Sequence, residues 1–401
     1  MDMTTIIQAV VAVAGGIIGA FVAGYTIFFP LGKSIGASES ISTIRDREAT
    51  IERQNVSLAT VSEEIRAVRD ENAVLRAQIG KVPSQPEVDA LTDLLNRSEG
   101  EVWLEFPSRR APAHDDFVSR TRCPIVSVVN LKGGVSKTTI SANLGAYFDS
   151  IGKRVLLVDA DFQGSLSDNL LRLSQTDSST AKIDEWLSSS LEPDVILRTA
   201  NRAGNRLPNT AFVTAFYELA SIETKLMMKW LLSSLRGTEP VDVRYALARI
   251  FHSPAALNHF DVVIIDCPPR LSTATVAALC ASSHIVVPTN ADERSAETVP
   301  NFTQMAQRLL AELNPNIRLA GVIPTMTYQG SMNADEQRVI EDVREEATHF
   351  GGDLPHIFRN VPWKQGVKKL RLRQVAFLDG PADVKAIYKE LGEQVAHKIG
   401  L

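Results

Sequence analysis

Six residues, IVSVVN (125–130), run straight into LKGGVSKTT (131–139), and KTTISANLGAYFDSIG (137–152) continues as a helical stretch that ends at Gly152. An apolar strand that turns into a helix within a few residues asks for a strand–loop–helix unit in a sheet. The first N–H groups of such a helix have no intrahelical acceptor, and its dipole places positive charge there. A loop at this point can therefore cradle phosphate. The ordinary phosphate-loop pattern is G-x-x-x-x-G-K-[ST]. Here Leu131 and Ser136 stand where its two glycines belong. Gly133 and Gly134 let the backbone approach a ligand closely, and Val135 and Ser136 complete the cradle. Lys137 is expected on the β- and γ-phosphates, the Thr138 hydroxyl on magnesium, and Thr139 near the α-phosphate. A Cβ at position 136 matters if the backbone there needs φ > 0.

Further strands follow: RVLLVDAD, DVVIIDCPP, HIVVPTN and LAGVIPTM, with helical segments between them. Continuous apolar runs joined by helical crossovers predict an α/β fold with a mostly parallel sheet covered by helices on both faces. Asp159 and Asp161 end one of these strands and Asp266 another. A carboxylate placed like Asp266, after a hydrophobic strand, is expected to hold magnesium through water. The three cysteines, Cys123, Cys267 and Cys280, form no C-x-x-C pair, which argues against a zinc site or a disulfide framework.

KGGVSKT at 132–138, VLLVDADFQGSLSDNL, VVIIDCPPRLS, ELASIE (218–223), VVPTNADERSAETV and GVIPTM together resemble the ParA/MinD family of deviant-Walker P-loop ATPases. The similarity covers about residues 122 to 375. Lys132 matches the family's signature lysine, and Phe162 replaces the proline of its D-x-D-P-Q-G segment. Ser136 departs from the commonest family form, though some partition members have K-G-G-V-S-K. The resemblance implies ATP and Mg2+ as cofactors and an ATP sandwich between two subunits. It implies that Lys132 reaches the other subunit's nucleotide, that Asp161 positions the attacking water, and that Asp159 and Asp266 support magnesium. Pro324, Met326 and Pro362 would flank adenine.

The N-terminal third reads differently. Residues 4–29 carry no charge, and roughly 26 residues at about 1.5 Å each can span a hydrocarbon core of about 30 Å. Asp2 before the run and the lack of a basic n-region favour a transmembrane helix over a signal peptide. Lys33, Arg45 and Arg47 after it predict a single-pass protein of the bacterial inner membrane with the ATPase domain cytoplasmic. Residues 40–80 are expected to form a parallel, dimeric coiled coil: Leu58, Val61, Ile65, Val68, Asn72, Leu75 and Ile79 fall on the a/d seam, and Asn72 at an a position favours two strands. Residues 81–121 are a linker with a short helix and a short strand. Residues 122–401 are the ATPase domain, with 171–256 as an elaborated region offering either a partner surface or extra packing on the sheet.

KQGVKKLRLRQ (364–374) carries Lys364, Lys368, Lys369, Arg371 and Arg373, either a solvated face or a nucleic-acid contact. The net charge of −5 excludes a protein that is basic as a whole. The combined expectation is a membrane-anchored dimeric ATPase acting as a nucleotide-dependent switch for an unknown protein partner. The alternatives are a non-hydrolysing ATP-binding scaffold, a tyrosine-kinase-like enzyme and a DNA-tethering partition ATPase. Only Tyr388 lies beyond residue 331, which weighs against a tyrosine-rich kinase tail.

Overall fold

The computed structural model describes residues 123–176, 179–235, 242–328, 331–347, 354–362 and 375–401, together with Ile65, Arg66, Val68, Arg69, Asp89, Asp93, Val102 and Trp103. The chain divides into two units, 1–84 and 85–401. In the first, Ile65, Arg66, Val68 and Arg69 are helical. The rest of the coiled-coil seam, Asn72 included, lies outside the described residues.

In the second unit β1 (Ile125–Val128) leads to α1 (Lys137–Ser150), and β2 (Val155–Asp159) to α2 (Ser165–Ser174). Then come α3 (Ile183–Ser188), α4 (Pro193–Leu197), β3 (Asn201–Arg202), β4 (Thr210–Val213), α5 (Glu218–Leu235), α6 (Ala246–Phe251) and α7 (Pro254–His259). β5 (Val262–Asp266), α8 (Thr273–Ala281), β6 (His284–Asn290), α9 (Glu293–Leu313) and β7 (Arg318–Thr327) follow. The chain closes with α10 (Ala334–Glu346), β8 (His356–Ile357), β9 (Val361–Pro362), α11 (Ala376–Asp379) and α12 (Ala382–Ile399).

The strands make one sheet in the order β3-β4-β2-β5-β1-β6-β7-β8, with β9 also paired to β7. Every pairing is parallel except β3 with β4. Alternate residues of each strand serve opposite faces, so two cores form. Leu156, Val158, Val263 and Ile265 pack under α5, α6, α8 and α9, with Phe251, Leu279 and Phe302. Val155, Leu157, Val262 and Ile264 pack under α1, α2 and α12, with Leu144, Phe148 and Leu391. Each such side chain contributes roughly 1.5–3 kcal/mol when fully buried. The helix α8 (TATVAALCA) is apolar all round and buried at every position, as a helix enclosed by others must be. Close approach is literal where α12 crosses α1: a Cβ on Gly392 would lie 2.2 Å from the Tyr147 ring.

Two expectations change and a third, left open between two readings, is narrowed. First, the inner-membrane, single-pass placement with lipid as a partner is corrected: among the described residues no helix is long and apolar enough to cross a membrane, and residues 4–29 lie outside them. Second, the described residues of 81–121 are all helical, and Trp103, 2% exposed, stacks on Trp230 of α5 with ring centroids 5.2 Å apart. Third, the region 171–256 contributes β4 to the sheet, paired in register with β2 from Val155↔Thr210 to Val158↔Val213. Its buried TAFV is sheet core.

Burial, with Arg318 and Lys398 nearby, pushes His284 down to about 4 from 6.5. A histidine depressed on folding binds fewer protons in the native state than in the unfolded chain between those values. Its contribution to stability is therefore present above about pH 6.5 and lost as pH falls to about 4. Urea midpoints should fall across that window in the wild type and fall less in His284→Gln. Cys123 and Cys267 are buried, and burial raises both thiols to about 12; burial raises Cys280 also. Thiolate is the reactive form, so native protein at pH 7.5 should resist Ellman's reagent and yield its three cysteines only on unfolding.

Candidate nucleotide site

The loop leaves the C-terminal end of β1, which sits between β5 and β6 in the sheet. Its first anchor is Asn130, missed in the sequence reading. The Asn130 amide donates to Pro288 O of β6 at 2.8 Å, and its Oδ1 accepts the Lys132 N–H at 2.8 Å. A second anchor is Thr325 of β7, whose hydroxyl donates to Val135 O at 3.3 Å. Gly133 and Gly134 are exposed, with open space where a Cβ would stand. Ser136 caps α1 at φ 67°, in the left-handed region, and makes no side-chain cap hydrogen bond. The loop therefore does require φ > 0 where this chain carries serine.

Lys137 is 8% exposed and reaches back over the loop, donating to Lys132 O at 2.8 Å. Burial holds its ammonium below the ordinary lysine range, while Asp266 and Asp161 nearby act in the opposite direction. Thr138 and Thr139 occupy the first turn of α1. The Lys132 ammonium lies 3.0 Å from Asp292 of its own chain, just beyond β6.

Asp266 ends β5 and is 1% exposed. Its Oδ1 accepts the Ser141 hydroxyl at 3.1 Å, and its Oδ2 is buried without a hydrogen-bond partner. Burial raises its pKa to about 7, against the stabilising hydroxyls of Thr138 and Ser141. An orphaned carboxylate oxygen beside a loop threonine fits a divalent cation's outer sphere. Among the described residues no group of three His, Cys, Asp or Glu forms a ready-made cage. A cation here would need phosphate oxygens to complete its coordination.

Asp159 and Asp161 do different work. Both Asp159 oxygens are engaged: Oδ1 accepts the Asp161 N–H at 3.1 Å, and Oδ2 accepts the Ser167 N–H and hydroxyl at 2.8 and 2.7 Å. It thus caps α2 from the end of β2 and holds the intervening turn. Burial raises its pKa well above the usual carboxylate range, and neighbouring Asp266 adds to this. Asp161 is only half-buried and stands on that turn. Close enough to Asp161 to feel its charge is Glu223 of α5, ion-paired at 2.7 Å with Arg270 after β5, a pair that sequence reading left without a role. ELASIE, which contains Glu223, was the available signal.

Pro324 and Met326 lie in the C-terminal half of β7 and Pro362 ends β9, where Thr327 pairs with Pro362. Met326 has φ 58°, and the pairing slips between Thr325 and Thr327, so the strand kinks beside the loop. The basic side chains of Lys364, Lys368, Lys369, Arg371 and Arg373 lie outside the described residues.

Residues 123–319 match the AAA domain family. The chain is 30% identical over 227 residues to the chromosome partitioning protein ParA of Caulobacter vibrioides, covering 57% of this chain and 76% of that one. It is 32% identical over 221 residues to the sporulation initiation inhibitor protein Soj of Bacillus subtilis, covering 55% and 79%. Among solved structures, the ATP complex of a Cyanothece McdA variant superposes with a TM-score of 0.55 at 22% identity, over 70% of this chain and 98% of that one. That likeness concerns the fold alone. Cobyrinic acid a,c-diamide synthase of Mycobacterium smegmatis superposes with a TM-score of 0.51 at 27% identity, over 69% and 94%, so the same scaffold serves other chemistry. Identity of this level across three-quarters or more of ParA and Soj, joined to the loop and strand-end carboxylates described above, means that the chain belongs to the ParA/MinD-like family of P-loop ATPases.

Proposed function

We propose that this protein binds ATP with Mg2+ at residues 132–139, hydrolyses it slowly, and uses the cycle as a switch that positions a cargo. The observation that carries the reading is the buried, unpartnered Asp266 Oδ2 beside Thr138 and the loop. A carboxylate so placed is costly unless a cation completes it. Thr138 would hold Mg2+ directly and Asp266 through water. Mg2+ would neutralise charge on the phosphate oxygens.

Lys137 would turn from Lys132 O to the β- and γ-phosphates, keeping its hydrogen-bond donors satisfied throughout. Gly133, Gly134, Val135, Ser136 and Thr139 would supply backbone and hydroxyl donors to the phosphate chain. Asp161, on the turn held by Asp159, would orient the attacking water by accepting its proton in a hydrogen bond. Pro324, Met326 and Pro362 would flank the base. Lys132 would leave Asp292 to reach a second copy's nucleotide, so that ATP favours a sandwich dimer. The relatives' names favour a partition-type cargo over a kinase substrate.

Phosphate release and calorimetric ATP titration test this together. Lys137→Ala should lose both turnover and binding. Asp161→Ala should keep ATP affinity within about threefold and lose turnover by about a hundredfold or more. Lys132→Ala should keep ATP binding but show no ATP-dependent dimer by light scattering. Wild-type protein that binds MgATP without releasing phosphate would leave a scaffold and end the hydrolytic reading.

Left-handed backbone at a residue with a Cβ costs roughly 1–2 kcal/mol, whereas glycine's extra unfolded-state entropy costs roughly 0.4–1 kcal/mol. Ser136→Gly should therefore raise the denaturation midpoint slightly; a lower midpoint would show that the Ser136 hydroxyl is itself stabilising.

A further inference from the structure

Asp161 opens a β-turn. The Gly164 N–H donates to Asp161 O at 2.9 Å, leaving Phe162 and Gln163 at the two central positions. Neither central residue has positive φ, so this is a turn in which proline at the first central position would pre-set the backbone. The family's segment carries proline there, and this chain carries Phe162, whose φ no ring locks. Without that lock the turn rests on hydrogen bonds and on contacts from outside.

Within the turn the Gln163 N–H donates to Asp161 Oδ1 at 3.1 Å, and the Asp161 N–H to Asp159 Oδ1 at 3.1 Å; two contacts from other segments brace it further. At its far end a Cβ on Gly164, φ 65°, would come within 2.7 Å of Ala215 O, so the backbone passes close to the segment leading into α5. At its near end the Arg270 guanidinium lies over the Phe162 ring, with Cζ 4.8 Å from the centroid. The same ring meets Tyr217 edge-on, with centroids 5.8 Å apart at 74°.

Arg270 is itself fixed. Its Nη2 donates to Glu223 Oε2 at 2.7 Å, and the Thr275 hydroxyl donates to Arg270 O at 2.8 Å. Glu223 is 4% exposed. Its other oxygen accepts the Ala274 N–H at 2.8 Å in the first turn of α8, where a carboxylate is favoured, and its backbone O accepts the Thr273 hydroxyl at 3.0 Å. A continuous set of contacts therefore runs from α5 and α8, through Glu223 and Arg270, to the ring of the residue next to Asp161.

We propose that Arg270, held by Glu223, is a positioning residue for Asp161, acting through the face of Phe162 in place of a proline. This rests on the reading of Asp161 as the residue that orients water. Arg270 has no need to touch ATP in this role. Lysine is a weaker replacement, because its ammonium lacks the flat face that stacks on the ring.

The test compares wild type, Arg270→Gln, Phe162→Pro and the double variant, each by calorimetric MgATP binding and by phosphate release. Arg270→Gln should lower kcat by about tenfold or more while the ATP Kd stays within about twofold, since the turn is loosened and the phosphate cradle is not. On the Phe162→Pro background the same substitution should cost less than about threefold, because the ring restores the lock. Wild-type kcat in Arg270→Gln, or an equal loss on both backgrounds, overturns the proposal. If Arg270→Gln fails to bind ATP, Phe162→Leu carries the test, since it removes the ring and leaves the Arg270–Glu223 pair. Lost kcat with retained Kd then supports the proposal, and wild-type kcat refutes it. Wild-type protein that released no phosphate would overturn the hydrolytic reading and this inference with it, whereas the other negative outcomes leave that reading standing.

Discussion

The register of three neighbouring strands governs the rest of the site. Val128 at the end of β1 pairs with Asp266 of β5, and Asp266 pairs with Asp159 of β2. That single level fixes where the loop begins, where the Asp266 carboxylate waits and where the turn bearing Asp161 departs. It also sets two fully buried carboxylates close together, which burial and mutual repulsion both disfavour. The protein answers locally, with the hydroxyls of Ser167, Ser141 and Thr138 and with Lys137 nearby. Such an arrangement gives up stability at the point of use, as ligand-binding sites commonly do.

The middle of the sheet was legible in the sequence because its strands are continuous apolar runs tied to short motifs. IVSVVN, VLLVD and VVIID need no tertiary information to be read as buried strands. β4 was not legible. TAFV is four residues long, follows a two-residue strand, and owes its strand identity to pairing with β2. The strand order was equally hidden, since β1 and β2 are consecutive in the chain but separated by β5 in the sheet. Local pattern carries no information about which neighbour a parallel strand will choose.

The loop residues were readable for the same reason as the strands: glycine, lysine and threonine at fixed offsets reflect backbone chemistry within a few residues of each other. Partners that converge from afar were not. Asn130, Thr325 and Asp292 meet their partners at the loop across separations of 158 to 190 residues. Asp159 was readable as a strand-end carboxylate, whereas its bonds to Ser167 and to the Asp161 amide, which shape the following turn, were not. The question about Ser136 needed a dihedral angle, which no composition or spacing supplies.

Trp103 has a wider implication. Its ring stacks in the core on Trp230, and the Arg244 guanidinium lies 4.6 Å from the Trp230 ring centroid on a side chain that is itself 2% exposed. The modular border that sequence comparison draws at about residue 123 therefore cuts through packed structure. Grafting the matched domain onto another protein at that border would strip a ring from α5, the helix that also carries Glu223. Trp103 lies outside the matched residues and yet belongs to the same hydrophobic core.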